Sequence, residues 1–369
     1  MSTRTDTTRG SDATRGDNDS RGNDATRDDD DFRGSAASRG DDDTRGTRAS
    51  RGTGTTRVWR PPVGGTTVHL VGDLHNEVPS VAGHTRTEAV RHDMLRLPAA
   101  VTGVSVRVQI GDAIHSGLAG QADSQIPIAQ NLFGVFAAAD SAPLVYAVGN
   151  HETNWGGSGD QMALTLGGRP ERNYVTDVGP LRFVVYSPAD NAETGVPWDG
   201  PPTNWVVPAD VLAWLDEQLG ATTRPVVLVS HCPPYEAYAD DTVGYFLTPV
   251  DAITALVARH GNVVAWMSGH RHRWYQDPNL FKAVRYGDHT VALIQAGACG
   301  GTIDPDVRPV GHPVDAVRTN GSVFCTYFGA DDPGGHRWEC RVRDHSIGCW
   351  GTLSTNYRYL WTIPLEGTA

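Results

Sequence analysis

Val71-Gly72-Asp73-Leu74-His75 closes an apolar run, Val68-His69-Leu70-Val71, on an aspartate and a histidine two residues apart. Two later stretches repeat the arrangement: Gly111-Asp112-Ala113-Ile114-His115 after Val106 to Ile110, and Gly149-Asn150-His151-Glu152 after Leu144 to Val148. Ser230-His231-Cys232-Pro233-Pro234 follows Val226 to Val229, and Gly269-His270-Arg271-His272 follows Val263 to Met267. Short β-branched runs of this kind read as buried strands, so every polar cluster falls at a strand's carboxyl end. Open α/β sheets gather their ligands there, where loops from separate strands converge. Asp73, His75, Asp112, Asn150, His231, His270 and His272 are therefore expected to meet. Carboxylates, an amide oxygen and imidazoles together make a hard-to-borderline donor set suited to Mn, Fe or Zn. Two such ions about 3.5 to 4 Å apart can clamp a phosphoryl group.

In the order D-x-H, G-D, G-N-H-E, H and G-H-x-H, these blocks resemble the calcineurin-like metallophosphoesterase superfamily, over roughly residues 67 to 273. The resemblance implies an α/β fold, a four-layer α-β-β-α sandwich of two mixed sheets flanked by helices, with two divalent metal ions. It implies one metal on Asp73, His75, Asp112 and His272, and the other on Asp112, Asn150, His231 and His270, with Asp112 as the bridge. It further implies attack on phosphorus by a metal-bridging hydroxide, with His151 serving the leaving oxygen and Glu152 orienting His151.

Departures from the family pattern matter as well. Many relatives carry Asp at the position of His115, and purple acid phosphatases carry Tyr, so an iron-tyrosinate site is not expected. A His there resembles the DNA-repair exonucleases of the superfamily, which makes His115 a candidate for handling a phosphodiester. The passage from Trp214-Leu215 through the next strand to His231-Cys232-Pro233-Pro234 resembles the class III cyclic-nucleotide phosphodiesterase and acid phosphatase branches. Cys232 reads as a small buried residue beside a complete ligand set.

Residues 1 to 57 are a different material. Arg recurs every sixth residue from Arg9 to Arg57, usually followed by Gly, and the only apolar side chains larger than alanine are Met1 and Phe32. Such a repeat cannot offset the entropy of ordering and reads as a disordered tail. It holds 11 Arg and 12 Asp, so −11 of the chain's net −12 belongs to residues 58 to 369, which read as one domain. That body has a single lysine, Lys282, and no basic stripe for a nucleic-acid backbone, so nucleic acid is a disfavoured partner. No apolar signal segment or membrane span is visible, and a cytoplasmic location is the default expectation. The five cysteines, Cys232, Cys299, Cys325, Cys340 and Cys349, form no C-x-x-C pair; one disulfide among the last three is compatible with the pattern.

Along the body, Thr85 to Glu88 reads as a capping box opening a helix through Arg96. Further helices are expected at 126–139, 208–219 and 249–259, and a hairpin turns at Gly179-Pro180. Trp155 lies in a Gly-rich loop at the mouth of the proposed site and 191–205 reads as a long loop. The hairpins at 281–295 and 323–343, with a strand at 357–363, are expected to complete a second sheet packed face to face on the first. The function expected is hydrolysis of a small phosphate ester, a phosphodiester by preference or a phosphomonoester. The alternatives are a nuclease, or a metal-binding assembly protein on the same scaffold whose Arg-Gly-Asp-rich arm does the work. Oligomeric state is not specified by the sequence.

Overall fold

The computed structural model describes residues 59–75, 85–115, 121–153, 158–188, 205–237, 246–272, 278–297, 299, 321–345, 349–350 and 360–367. The expectations for the tail at 1–57, for Trp155, for residues 191–204 and for 357–359 lie outside them, as do the side chains of the Thr85–Glu88 capping box.

The first three ligand-bearing runs form the parallel strands β1 (Thr66–Val71), β2 (Val106–Gln109) and β3 (Leu144–Tyr146). The other two lie in a second sheet, where β5 (Leu181–Val185), β7 (Val226–Val229) and β9 (Val263–Ser268) run parallel. Every residue of β2, β7 and β9 is buried, and β7 and β9 accordingly read as near-continuous apolar runs, whereas β2 alternates, its buried Arg107 and Gln109 bonded to Asp140 and to the Gly111 carbonyl. Antiparallel strands finish both sheets. β4 (Tyr174–Val178) pairs with β5 through the turn at Gly179, whose φ is 56°. A two-stranded parallel piece, β6 (Trp205–Val206) with β8 (Leu247–Thr248), stands apart from both.

The C-terminal hairpins correct the sequence reading, which placed them together in one second sheet. The structure divides them. β10 (Phe281–Tyr286) and β11 (His289–Gln295) extend the second sheet beside β9, whereas β12 (Gly321–Phe328), β13 (Arg337–Asp344), β14 (Cys349–Trp350) and β15 (Trp361–Pro364) continue the first from β1. One hairpin pairs with the β1 edge of the first parallel set and the other with the β9 edge of the second. Cys325 lies opposite Cys340 in the β12–β13 ladder, both as free thiols.

Four layers follow from the packing. Val68, Val106, Val108, Val227, Met267 and Val323 belong to one core between the sheets. Trp338 crosses that core to donate its indole N–H to the Val264 carbonyl at 3.2 Å, where β9 slips register against β7. On the outer face of the first sheet lie α1 (Thr85–Ala100), α2 (Gln121–Ala139) and α4 (Gly159–Gly167), through Met94, Leu132, Phe133 and Met162. On that of the second lie α5 (Ala209–Gly220) and α6 (Val250–Arg259), through Leu215, Leu219, Ile253 and Val257. Between β3 and α4 the chain makes one short turn, α3 (Asn150–Thr153), all of it buried.

Three helices differ from expectation. α1 runs four residues past Arg96, through Pro98, to Ala100. α2 starts five residues before Ile126, with Pro127 inside it; the added turn buries Gln125, whose side-chain oxygen accepts the His115 N–H at 2.6 Å. α4 was not foreseen, yet it carries a Ser158 cap accepting the Gln161 N–H and a left-handed Gly168 at its end. No helix among the described residues is long and apolar enough to cross a membrane.

Candidate metal centre

The strand ends turn abruptly. Asp73, His75, Asp112, His270 and His272 all have positive φ, from 42° to 73°, a region that non-glycine residues seldom occupy. Each turn swings a side chain off its strand's line and into a shared space. Hydrogen bonds among the loops hold these conformations: His75 N–H donates to the Asp112 carbonyl at 2.9 Å, His270 N–H to Asp73 Oδ1 at 3.1 Å and His151 N–H to Asp112 Oδ1 at 3.0 Å. The approach is so close that two glycines are needed. A Cβ on Gly269 would sit 2.6 Å from Asp73 Oδ2, and one on Gly149 would collide with Asp112 Oδ1.

Ligand-type atoms of Asp73, His75, Asp112 and His272 lie within 4.8 Å of one another, as do those of Asp112, His231 and His270. Asn150 joins the latter set, its Oδ1 3.0 Å from His231 Nε2. Asp112 belongs to both sets: its Oδ2 lies 3.6 Å from His75 Nε2 and 3.1 Å from His231 Nε2. His272 Nε2 lies 3.2 Å from Asp73 Oδ1 and 2.8 Å from His75 Nε2. Metal–nitrogen bonds near 2.1 Å in tetrahedral or octahedral geometry put neighbouring ligand atoms about 3.0 to 3.4 Å apart, close to these separations.

The donor chemistry fits divalent ions on a further ground. His231 Nδ1–H donates to the Ile110 carbonyl at 2.7 Å, so Nε2 is the atom turned to Asp112 Oδ2, Asn150 Oδ1 and His270 Nδ1. A proton at this point serves one acceptor; a divalent cation serves them all. The same shortage of positive charge shows in the titration of the site. Burial alone would lower His231, but the Asp112 carboxylate outweighs it and raises the imidazole to about 9. Burial would raise Asp112, yet His231, His151 and His75 hold its carboxyl well below the usual range. Burial, reinforced by neighbouring imidazoles, holds His75 and His270 well below the usual histidine value.

The remaining candidates lie around these ligands. His151, buried and lowered to about 4 chiefly by burial, has Nε2 4.0 Å from Asp112 Oδ2, and its ring stacks on His115 with centroids 4.9 Å apart. His115 Nδ1 shares a 2.8 Å hydrogen bond with His75 Nδ1, which places it behind a ligand histidine, a contact not foreseen from sequence. Glu152 also takes a place the sequence reading did not give it. Its carboxylate accepts the backbone N–H groups of Asp112 at 2.8 Å, Gly149 at 2.7 Å and Ala113 at 2.6 Å, so it pins the Asp112 loop to the α3 turn. Burial and the Asp112 charge push Glu152 up to about 7, against the pull of those N–H groups. Trp205, read from sequence only as the end of a loop, meets His270 edge-on at a centroid distance of 5.4 Å.

The two-sheet α/β sandwich thus gathers Asp, Asn and His side chains at its strand ends into one cluster able to hold metal ions. The chain belongs to the calcineurin-like phosphoesterase family, whose model matches residues 66–274. Membership implies a dinuclear divalent metal centre. Among solved structures, a purple acid phosphatase from yellow lupin (Lupinus luteus) seeds superposes with a TM-score of 0.52 at 14% identity, covering 81% of this chain and 54% of that one. The chain thus spans about half the length of the lupin protein. A dimetal phosphatase from Danio rerio superposes with a TM-score of 0.52 at 16% identity, covering 81% of this chain and 98% of that one. Comparison with curated proteins gives no match.

Proposed function

We propose that the chain hydrolyses a small phosphate ester, with a phosphodiester as the preferred substrate, at a centre in which Asp112 is shared between two metal ions. The observation that carries this reading is the convergence of both ligand sets on Asp112 Oδ2. Asp73, His75, Asp112 and His272 would hold one ion and Asp112, Asn150, His231 and His270 the other; Mn, Fe and Zn all suit these donors. Two ions bound there would polarise the phosphoryl oxygens and acidify a water.

The chain's own residues supply the rest. Asp112 is kept ionised by the surrounding imidazoles. Gly149 and Gly269 let the backbone close around the carboxylates, and Glu152 fixes the Asp112 loop. His151 stands beside the shared carboxylate without belonging to either four-residue set, and with burial keeping its imidazole neutral near pH 7 its N–H is suited to donate a hydrogen bond to the leaving oxygen. His115 fixes the orientation of His75 and, being partly exposed, stands where it can also meet a diester's second substituent.

The test is hydrolysis of bis(p-nitrophenyl) phosphate against p-nitrophenyl phosphate by the Mn(II)-loaded chain, with Asp112→Ala as control. Faster turnover of the diester, absent from the control, supports the reading. Preference for the monoester moves the function to a phosphomonoesterase. Metal binding without turnover of either ester replaces it with a metal-binding assembly protein.

A further inference from the structure

Away from the candidate metal centre, a continuous row of polar side chains crosses the outer face of the first sheet. Asp140, just past α2, accepts from Arg107 on β2, and the same guanidinium donates to His69 Nδ1 on β1 at 2.9 Å. His69 Nε2 lies 2.9 Å from Ser322 Oγ on β12, and that hydroxyl lies 2.9 Å from Nε2 of His345, which follows β13. His345 Nδ1 in turn lies 2.7 Å from Asp93 on α1, which also accepts from Arg343. The middle of the row is sealed: Phe324 stacks on His69 with centroids 4.3 Å apart, Phe136 of α2 meets the same ring edge-on, and His69, Ser322 and His345 are all buried. Its ends reach solvent, the Asp93 and Asp140 side chains being 15% and 25% exposed.

The row has a single direction. A guanidinium only donates, so His69 Nδ1 is an acceptor and the ring's proton sits on Nε2, which donates to Ser322. At the other end Asp93 is ionised, its carboxyl brought down to about 2 by His345 and Arg343 against the effect of burial. A carboxylate only accepts, so His345 carries its proton on Nδ1 and leaves Nε2 to accept the Ser322 hydroxyl. Each link then joins one donor to one acceptor, and both imidazoles are neutral. A further proton has no place in the row. On His69 Nδ1 it would face an Arg107 N–H; on His345 Nε2 it would face the Ser322 O–H, whose other neighbour, His69 Nε2–H, is itself a donor.

We propose that this row is an acid-sensitive latch, which fastens α1 and the end of α2 to the first sheet at neutral pH and opens when its two histidines each take up a second proton. None of its residues belongs to the ligand sets described above. Burial pushes both imidazoles below the usual histidine value, reinforced at His69 by Arg107 and opposed at His345 by Asp93. The other charged groups facing the two rings are Asp140, Arg343 and Asp344. With the closed-state values depressed, the latch is at full strength above the ordinary value of about 6.5 and weakens as pH falls below it. Opening takes up about two protons, so each pH unit below about 5.5 shifts the open-to-closed ratio by up to about 100-fold.

Two measurements on the full chain test the latch. In long-range proton–nitrogen spectra of the chain labelled with ¹⁵N-histidine, assigned through His69→Gln and His345→Gln, His69 should appear at pH 7 as the Nε2–H tautomer and His345 as the Nδ1–H tautomer. Reversed tautomers, or an imidazolium at either position in the folded chain at pH 6, overturn the proposal. Amide exchange read by mass spectrometry should show protection factors in α1 and β12 falling by about 30- to 100-fold between pH 5.5 and 4.5, while those in α5 and α6 change by less than about 3-fold. Either His69→Gln or His345→Gln, whichever folds, should cut the fall in α1 to about 10-fold, because one proton fewer is taken up. An equal loss of protection over both sheets, or a fall in α1 that the substitutions leave unchanged, removes the latch and leaves the row as ordinary buried packing.

Discussion

At the scale of single residues, the clustered Asp, Asn and His side chains depend on groups outside the cluster. Glu152 is the clearest case, since its carboxylate accepts backbone N–H groups on both sides of the seam between the Asp112 loop and α3. Glu152→Gln turns one acceptor into an N–H₂ donor facing donors, and should destabilise the fold by about 1 to 3 kcal/mol. Because the loop it pins carries the shared ligand, metal affinity should drop by roughly 10- to 100-fold as well. Thermal unfolding and Mn(II) titration check the two effects; unchanged affinity with lowered stability would confine Glu152 to the fold. His151 should behave in the opposite way. His151→Asn is expected to keep metal content close to the parent's and to slow turnover by about 10²- to 10⁴-fold, the usual worth of a positioned acid. Metal loss in step with activity would make His151 a ligand instead. The convergence of these side chains was legible in the sequence because Asp, Asn and His after five strands share no packing explanation. Their neighbours were not. Nothing local marks Gln125 as the acceptor for His115 N–H, or Trp205 as the ring against His270, since both contacts join segments distant along the chain.

Elements were legible where one periodicity ruled and lost where the decision was made elsewhere. β7 and β9 announced themselves as apolar runs, and α5 and α6 by the spacing of Val211, Leu215 and Leu219 and of Ile253, Leu256 and Val257. Sheet membership of β10 to β15 depends instead on which edge each hairpin covers, a tertiary choice that strand patterns leave open. One polar contact shows how the outer layer is fixed to the first sheet. Asp93 on α1 accepts from both guanidinium nitrogens of Arg343 on β13, at 2.8 and 2.6 Å, and pairs with His345 Nδ1 at 2.7 Å. Burial would raise the Asp93 carboxyl, but His345 and Arg343 prevail and bring it from the ordinary 3.8 to about 2. A depressed carboxyl stabilises the fold fully above its ordinary value, and that stability is lost as pH falls toward 2. Asp93→Asn should therefore cost about 1 to 2 kcal/mol near neutrality, with the partial exposure of the pair discounting the figure. The gap between parent and variant in urea midpoint should be constant from pH 5 to 8 and close progressively below pH 4. A gap that persists unchanged at pH 3 would mean that packing, not charge, links α1 to β13.

For the whole molecule, the division of the proposed ligands between two sheets is the consequential feature. Asp73, His75 and Asp112 follow β1 and β2, and Asn150 lies beyond β3, all in the first sheet; His231, His270 and His272 follow β7 and β9 in the second. Apolar packing joins the sheets along their length, but at the site end polar groups face one another across the seam. Five positive-φ residues and the buried carboxylates of Asp73 and Asp112 meet there, joined by hydrogen bonds, and the Asp112 charge raises His231 to about 9 against the effect of burial. Metal binding to the folded chain alone adds stability as the logarithm of free metal over Kd, about 2.7 kcal/mol at one hundred times Kd. In a chain of this size that should raise the unfolding midpoint by roughly 5 °C. Asp112→Ala, which removes the atom common to both sets, should abolish the rise; Cys232→Ala, outside both sets, should keep it. Protection of backbone amides against exchange should increase at the carboxyl ends of β1, β7 and β9 and stay level at the far turn between β12 and β13, around Gly329 to Gly335. If protection rises in the first sheet alone, the metal does not bridge the sheets and the shared role of Asp112 fails. If it rises at both sets of strand ends together, the ions are the clasp that closes this end of the sandwich.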